Sequence, residues 1–244
     1  MNRVVPERIE RERVREMFSD IAPTYDLLNR LLSFGIDRIW RRAAIGLLLD
    51  GLAWGSPARL LDLATGTGDV ALAVRRRLGG ERDVEITGAD LAFPMLAIGR
   101  RKAQEKGAGI GFLQADALSL PFEDATFDGA IIAFGIRNLE DRAAGLREMC
   151  RVLRPGGRLV VLEFGTPDGL FGLIYRIYFG WVLPVAGRLV SGHKTAYSYL
   201  PSTVSDFPPP DVMCHMFHEA GLTGARSRPM TGGIVNVYSA ERAP

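Results

Sequence analysis

The chain has 244 residues, 47% hydrophobic and 24% charged. That length suits one medium α/β domain with an appended lobe and excludes two full enzyme domains, and the composition excludes a disordered or collagen-like chain. Thirty basic against 28 acidic residues leave a formal net charge of +2, too small for a protein that coats nucleic acid. Arginine dominates the basic set, the lysines being Lys102, Lys106 and Lys194, and this is read as codon bias rather than phosphate recognition. Cys150 and Cys214 are the two cysteines. Without CxxC spacing they argue against a disulfide framework or a zinc site, and a reducing cytosol is the default compartment. The Arg/Glu-rich start has no apolar h-region and does not read as a secretory signal.

Taken in chain order, residues 1–45 read as a helical cover and 46–244 as the main domain, with an apolar insertion at about 166–207. Residues 7–18 carry charges at i, i+4 spacing, as a solvated helix does. Pro23 is expected to open a second helix, in which Leu27, Leu28, Leu31, Leu32 and Ile36 recur near helical spacing. From Ala58 short apolar runs alternate with helical ones: ARLLDLA, DVALAVRRRL, VEITGAD, PMLAIGRRKAQEK and IGFLQAD, then FDGAIIAF and GRLVVLEF flanking one more helix. This βαβ alternation predicts a doubly wound, mostly parallel α/β sheet with helices on both faces. Residues 170–190 carry Arg176 and Arg188 as their only charges. Their uncharged run is far short of the roughly 20 residues that span a bilayer, so they read as a buried helix pair or an apolar cover. After Pro208, Pro209 and Pro210 comes the helical DVMCHMFHEAG, and then GARSRPM and IVNVYSAE, expected to form an antiparallel hairpin that closes the sheet.

The sharpest motif is DLATGTGD, residues 62–69, where a strand meets a helix. Gly66 and Gly68 let backbone amides approach a ligand at a helix N-terminus. The same glycines also fit the dinucleotide form GxGxxA, which keeps an NAD(P)-dependent oxidoreductase as the rival reading. Asp62, Asp90 and Asp116 end three successive strands. Asp62 is placed to receive an ammonium or to fix the glycine loop, Asp90 to hold two ribose hydroxyls, and Asp116 to meet an adenine amino group. Three acids on one crevice favour a cationic adenosyl ligand, S-adenosylmethionine. His215 and His218 share a helix face with Cys214 but lack ligand-type company, and no metal is expected.

The blocks Tyr25-Asp26-Leu-Leu-Asn29 with Ser33, Gly35, Arg38 and Trp40, then DLATGTGD, ADLAFPML, DALSLPF, FGIRN, RVLRPGGRLVVLEF and Tyr197-Ser-Tyr199-Leu200, together resemble the class I S-adenosylmethionine-dependent methyltransferases that methylate the rings of menaquinone and ubiquinone precursors. The resemblance implies a seven-stranded Rossmann-like sheet and the cofactor contacts Thr67, Asp90, Asp116 and Ala117, beside the loop residues Asp62, Gly66 and Gly68 read above. It also implies C-methylation of a prenylated quinol, demethylmenaquinol in the main reading and a ubiquinone-precursor benzoquinol in the alternative, by a cytoplasmic enzyme that meets its substrate at the membrane surface. Arg137 and Asn138, after the fourth strand, are then candidates to face the quinol oxygens, and Tyr25 and Asp26 to close over the cofactor and orient the ring. The chain departs from the family pattern at Ala133, where some relatives place a serine that contacts the cofactor. It departs again at Leu28, Asp37, Arg154 and Gly165. His193 and Lys194 follow the apolar stretch, where a substrate or a headgroup is within reach. A non-catalytic lipid-surface adaptor is the third reading, and no nucleic-acid partner is expected.

Overall fold

The computed structural model describes residues 7–33, 35–50, 52, 57–79, 83–167, 172 and 203–244. In chain order these form α1 (Glu7–Leu32), α2 (Asp37–Leu49), β1 (Ala58–Leu63), α3 (Asp69–Leu78), β2 (Val84–Asp90), α4 (Phe93–Glu105), β3 (Ile110–Gln114), β4 (Phe127–Ala133), α5 (Arg142–Val152), β5 (Leu153–Phe164), α6 (Pro210–Glu219), β6 (Leu222–Met230) and β7 (Val235–Arg242). The seven strands make one sheet in the order β3-β2-β1-β4-β5-β7-β6. β1 to β5 are parallel, and β7 runs antiparallel between β5 and β6. The expected closing hairpin is therefore present. Of the apolar insertion, residues 168–171 and 173–202 fall outside the described residues, His193, Lys194 and Tyr197 to Leu200 among them.

The period-two alternation of strand side chains divides the core. Leu60, Ile86, Ile131, Val160, Leu162 and Val237 point to one face and pack with α2 and α3. Leu61, Leu63, Ala130, Ile132, Val161 and Tyr238 point to the other and pack with α5 and α6. The central strand β4 is buried along nearly its whole length, whereas the edge strands β3 and β6 are largely exposed, as a sheet covered on both faces requires. Asp128 mends the shift in register between β4 and β5. Its buried carboxylate accepts from the Arg59 backbone N–H at 2.6 Å and pairs with Arg154 at 2.8 Å.

Two expectations are corrected. Pro23 does not open a second helix but lies inside the continuous α1. A proline in a helix interior removes one bond and costs about 3 kcal/mol, and packing on both sides of it offsets that cost. Ile21 and Ala22 before it are buried with Ala92, with Met95 of α4 and with Val204, and Tyr25 after it packs half-buried against the same cluster. α2 is likewise not a cover. Trp40, Ala44, Ile45 and Leu48 are buried in the core beneath the sheet, and the Trp40 indole N–H donates to Thr231 Oγ1 at 2.8 Å. Among the described residues of the front segment, α1 is the element that lies over the carboxyl ends of the strands.

Candidate functional site

The sequence order of the sheet reverses between β1 and β4, and in open α/β sheets the crevice beyond the strand carboxyl ends at such a point takes the ligand. Here it is an open cleft of about 890 Å³, counted out to the open solvent at its mouth. Its floor is Leu63, Ala64 and Gly66 after β1 and Ala133 to Gly135 after β4. One wall is Ala89 to Ala92 with Ala115 to Leu118, and α1 contributes Val14, Arg15, Phe18 and Tyr25. The floor is conformationally constrained. Ala64 and Phe134 both have positive φ, 48° and 57°, and a side chain on Gly135 would put its Cβ 2.5 Å from the Ala64 Cβ.

Asp90 lines the cleft, and its carboxylate is anchored by the backbone. Gly66 N–H donates to Oδ2 at 2.8 Å and Ala92 N–H to Oδ1 at 2.9 Å. A carboxylate has about four lone-pair sites, so each oxygen keeps capacity for a hydroxyl donor. Burial pushes this carboxyl up from its ordinary value, against the opposing pull of the backbone N–H groups of Ala92, Gly66 and Leu91. Asp116 and Ala117 also line the cleft, with Asp116 Oδ1 accepting from Leu118 N–H at 2.9 Å. Gly66, at φ 54°, gives the cleft a stretch of bare backbone.

Asp62, Thr67 and Gly68 lie outside the lining of the cleft and build the loop instead. Asp62 is 2% exposed and Oδ2 accepts from Thr65 Oγ1 at 2.5 Å and from Ala71 N–H at 3.0 Å. Of the two roles considered for it, the loop-fixing one matches these bonds. Gly68, at φ 78°, starts α3 close to Phe112, whose ring a Cβ would meet at 2.9 Å. The Thr67 hydroxyl points toward the cover, donating to Asp26 Oδ1 at 2.6 Å and accepting from Lys102 Nζ at 2.9 Å. Lys102 pairs with Asp26 at 2.5 Å and with Asp69 at 2.8 Å, and Arg41 pairs with Asp69 and Asp37 at 3.2 Å. This network ties α1 to the glycine loop.

The four residues read as catalytic separate into two pairs. Tyr25 and Asn138 line the cleft, Tyr25 meeting Phe18 edge-on with ring centroids 6.1 Å apart. Asn138 Oδ1 is buried without a hydrogen-bond partner. Asp26 is engaged in the Lys102 network. Arg137 does not face the cleft but is held behind it, because Glu163, fully buried at the end of β5, takes its Nη1 at 2.8 Å. Nη1 also donates to the Phe134 carbonyl at 2.6 Å, and the guanidinium lies 5.4 Å from the Phe164 ring centroid. Lys102, Glu163, Arg15 and Phe18 were missed in the sequence. The rarity of lysine and an acid ending the apolar run LVVLEF were the available signals for the first two.

The model of the ubiE/COQ5 methyltransferase family matches residues 7–242. The chain belongs to that family. It is 53% identical to a demethylmenaquinone methyltransferase of Thermus thermophilus over 93% of this chain and 100% of the relative. It is 49% identical to the ubiquinone/menaquinone biosynthesis C-methyltransferase UbiE of Geobacter sulfurreducens, covering 95% and 89% of the two chains. Among solved structures, a SAM-dependent methyltransferase of Thermotoga maritima described as a possible histamine N-methyltransferase superposes with a TM-score of 0.64 at 17% identity, covering 93% of this chain and 98% of that one. At that identity the match speaks to the fold. The family assignment decides between the two readings of the glycine loop, and the chain is an S-adenosylmethionine-dependent methyltransferase. Among the described residues no group of acidic, histidine and cysteine side chains is arranged to hold a metal, and no helix is long and apolar enough to cross a membrane.

Proposed function

We propose that the chain transfers a methyl group from S-adenosylmethionine to a ring carbon of demethylmenaquinol, giving menaquinol. The observation that carries this reading is a cleft at the reversal point of the sheet lined by both Asp90 and Asn138, whose buried Oδ1 has no hydrogen-bond partner among the described residues. The residues fit the cofactor: Asp90 offers acceptor capacity to a ribose diol, bare backbone at Gly66 admits close approach, and Ala115, Ala117 and Ala133 leave room for a flat base. When bound, the cofactor supplies a methyl group on a sulfonium.

The protein's part is mainly positioning, which in favourable systems lowers a barrier by about 7 kcal/mol or more. Asn138 Oδ1 accepts from the quinol hydroxyl next to the reacting carbon and fixes the ring's rotation. Phe18 and Tyr25 exclude water from one side of the ring. Arg137 acts through the Ile136–Asn138 turn: its pairing with Glu163 anchors the turn and so aims Asn138. Transfer replaces the ring C–H by C–CH3 and releases one proton, and the quinol oxygens keep their electrons in the aromatic product. Asp26 and Lys102 hold α1 over the reacting pair. The enzyme works as a peripheral protein at the cytoplasmic face of the membrane, where its prenylated substrate resides.

The test is methylation of demethylmenaquinol followed by mass spectrometry, alongside melting curves with S-adenosylhomocysteine and with NADH. Product gaining one methyl group, and a melting temperature raised by the adenosyl ligand alone, are the expected results. A ligand at about 100 times its Kd adds about 2.7 kcal/mol. Asn138→Ala should lower kcat while leaving adenosylhomocysteine affinity unchanged. Full turnover by that variant, or methylation confined to a benzoquinol, would overturn the reading.

A further inference from the structure

A second concavity, an open groove of about 1420 Å³, lies between the C-terminal end of α1, α2 and α3. Its charge is lopsided. Arg30, Arg38, Arg42, Arg76, Arg77 and Lys106 line it and are all exposed, and among the described residues none of the six has an ion-pair partner. The two acids on its wall, Asp37 and Asp69, are already engaged by Arg41 and Lys102. Burial works to raise Asp69, yet Lys102, Arg41 and Arg30 together hold it below its ordinary value, a sign of how positive this corner is. Arginines that composition alone assigns to codon bias are thus gathered on one surface.

Two exposed aliphatic side chains flank the cations. Leu27 is 61% exposed and lies one helical turn from Arg30, and Ile39, 58% exposed, sits between Arg38 and Arg42. Basic residues interleaved with exposed aliphatics are what an anionic bilayer surface rewards, through phosphate attraction and shallow insertion together. A nucleic acid backbone would use the cations but leave the exposed aliphatics in water, and among the described residues the groove lining has no aromatic side chain on which bases could stack. The cleft and the groove share α1. Tyr25 lines the one and Arg30 the other, five residues apart on α1 and so about 7.5 Å in rise.

We propose that this α1/α2/α3 groove is a docking surface for anionic phospholipid headgroups, which seats the enzyme with the cleft mouth beside the bilayer. The inference rests on the prenylated-quinol reading for its purpose, though not for its binding test. The full chain should co-sediment with phosphatidylcholine vesicles that contain phosphatidylglycerol, not with phosphatidylcholine alone, and salt should release it. Combining Arg38→Glu, Arg42→Glu, Arg76→Glu and Arg77→Glu should lower that partition at least about 1,000-fold, since each cation removed is worth roughly 1 kcal/mol. The neutral form with Gln at the same four positions should lose less. Methylation of long-chain demethylmenaquinol in those vesicles should fall with the partition, while methylation of a tail-less analogue in buffer stays at the wild-type rate. Equal binding to neutral vesicles, undiminished binding by both variants, or a preference for a duplex oligonucleotide over the vesicles would each overturn the proposal. If neither quinol is methylated by the wild type, the proposed reaction fails while the vesicle measurements still decide the docking surface.

Discussion

At the residue scale the cleft floor depends on two positions that touch. Gly135 follows β4 and Ala64 follows β1, and Ala64 keeps a positive φ that alanine adopts only at a cost. A methyl group at 135 would overlap the Ala64 Cβ at 2.5 Å. Gly135→Ala should therefore destabilise the fold by about 1–3 kcal/mol, the usual cost of overpacking, and weaken adenosylhomocysteine binding. Adding Ala64→Gly should restore both, since it removes the clash and the positive-φ strain together. Denaturant titration and calorimetric binding of the single and double variants check this, and failure of the second change to rescue the first would show that the contact is not the cause. The glycine of FGIRN was visible in the sequence, but its reason was not. Only the approach of two strand ends, 71 positions apart in the chain, makes a side chain impossible there.

At the scale of elements, the Asp26, Thr67, Lys102, Asp69 and Arg41 network decides how α1 sits on the glycine loop. Lys102→Met keeps the aliphatic stem but leaves Asp26 and Asp69 without their shared cation. The expected loss is about 2 kcal/mol of stability, the scale of hydrogen bonds to a charged group, with weakened cofactor affinity because Thr67 and the loop lose their tie to the cover. Lys102→Arg should recover part of each. Urea unfolding and adenosylhomocysteine titration measure the two effects, and unchanged affinity would separate the latch from the loop. Much at this scale was legible in sequence. Short apolar runs such as ARLLDLA, VEITGAD and FDGAIIAF, alternating with helical ones, specify strands because a parallel sheet covered on both faces buries both sides of its central strands. α1 and α2 were misread for the complementary reason. Proline marks a local cost without saying whether tertiary contacts offset it, and the amphipathic pattern of α2 shows that one face is buried without naming what buries it.

For the molecule as a whole, pH dependence follows from acids buried to build the site. Burial pushes Asp62 up to about 7, despite the opposing hydrogen bonds from Thr65 and Ala71. A carboxyl whose folded value exceeds its unfolded value binds more proton in the folded state. Its contribution therefore favours folding at low pH, declines as pH rises from about 4 to about 7, and is level above that. Asp69, held low, acts in the opposite sense: its contribution is present above the ordinary carboxyl range and is lost on acidification. Asp62→Asn isolates the first effect, since the amide oxygen can still accept from Thr65 and Ala71. The variant should become more stable relative to wild type as pH rises from 4 to 7. A stability difference independent of pH over that window would count against a raised Asp62.

The sequence by itself determined the sheet, the glycine loop and the three strand-end acids, because period, glycine placement and strand termini are local properties of the chain. Resemblance added the methyltransferase family. What tertiary structure alone decided is which of those residues meet the cleft. Asp90, Asp116, Asn138 and Tyr25 line it, while Thr67, Asp26 and Arg137 are turned into the scaffold by partners distant in sequence and Asp62 by its loop neighbours Thr65 and Ala71. A carboxylate or guanidinium has the same charge in either place. Its role is set by the counter-charge that folding brings within about 3 Å, and Glu163 and Lys102 are brought there by the packing of β5 and α4.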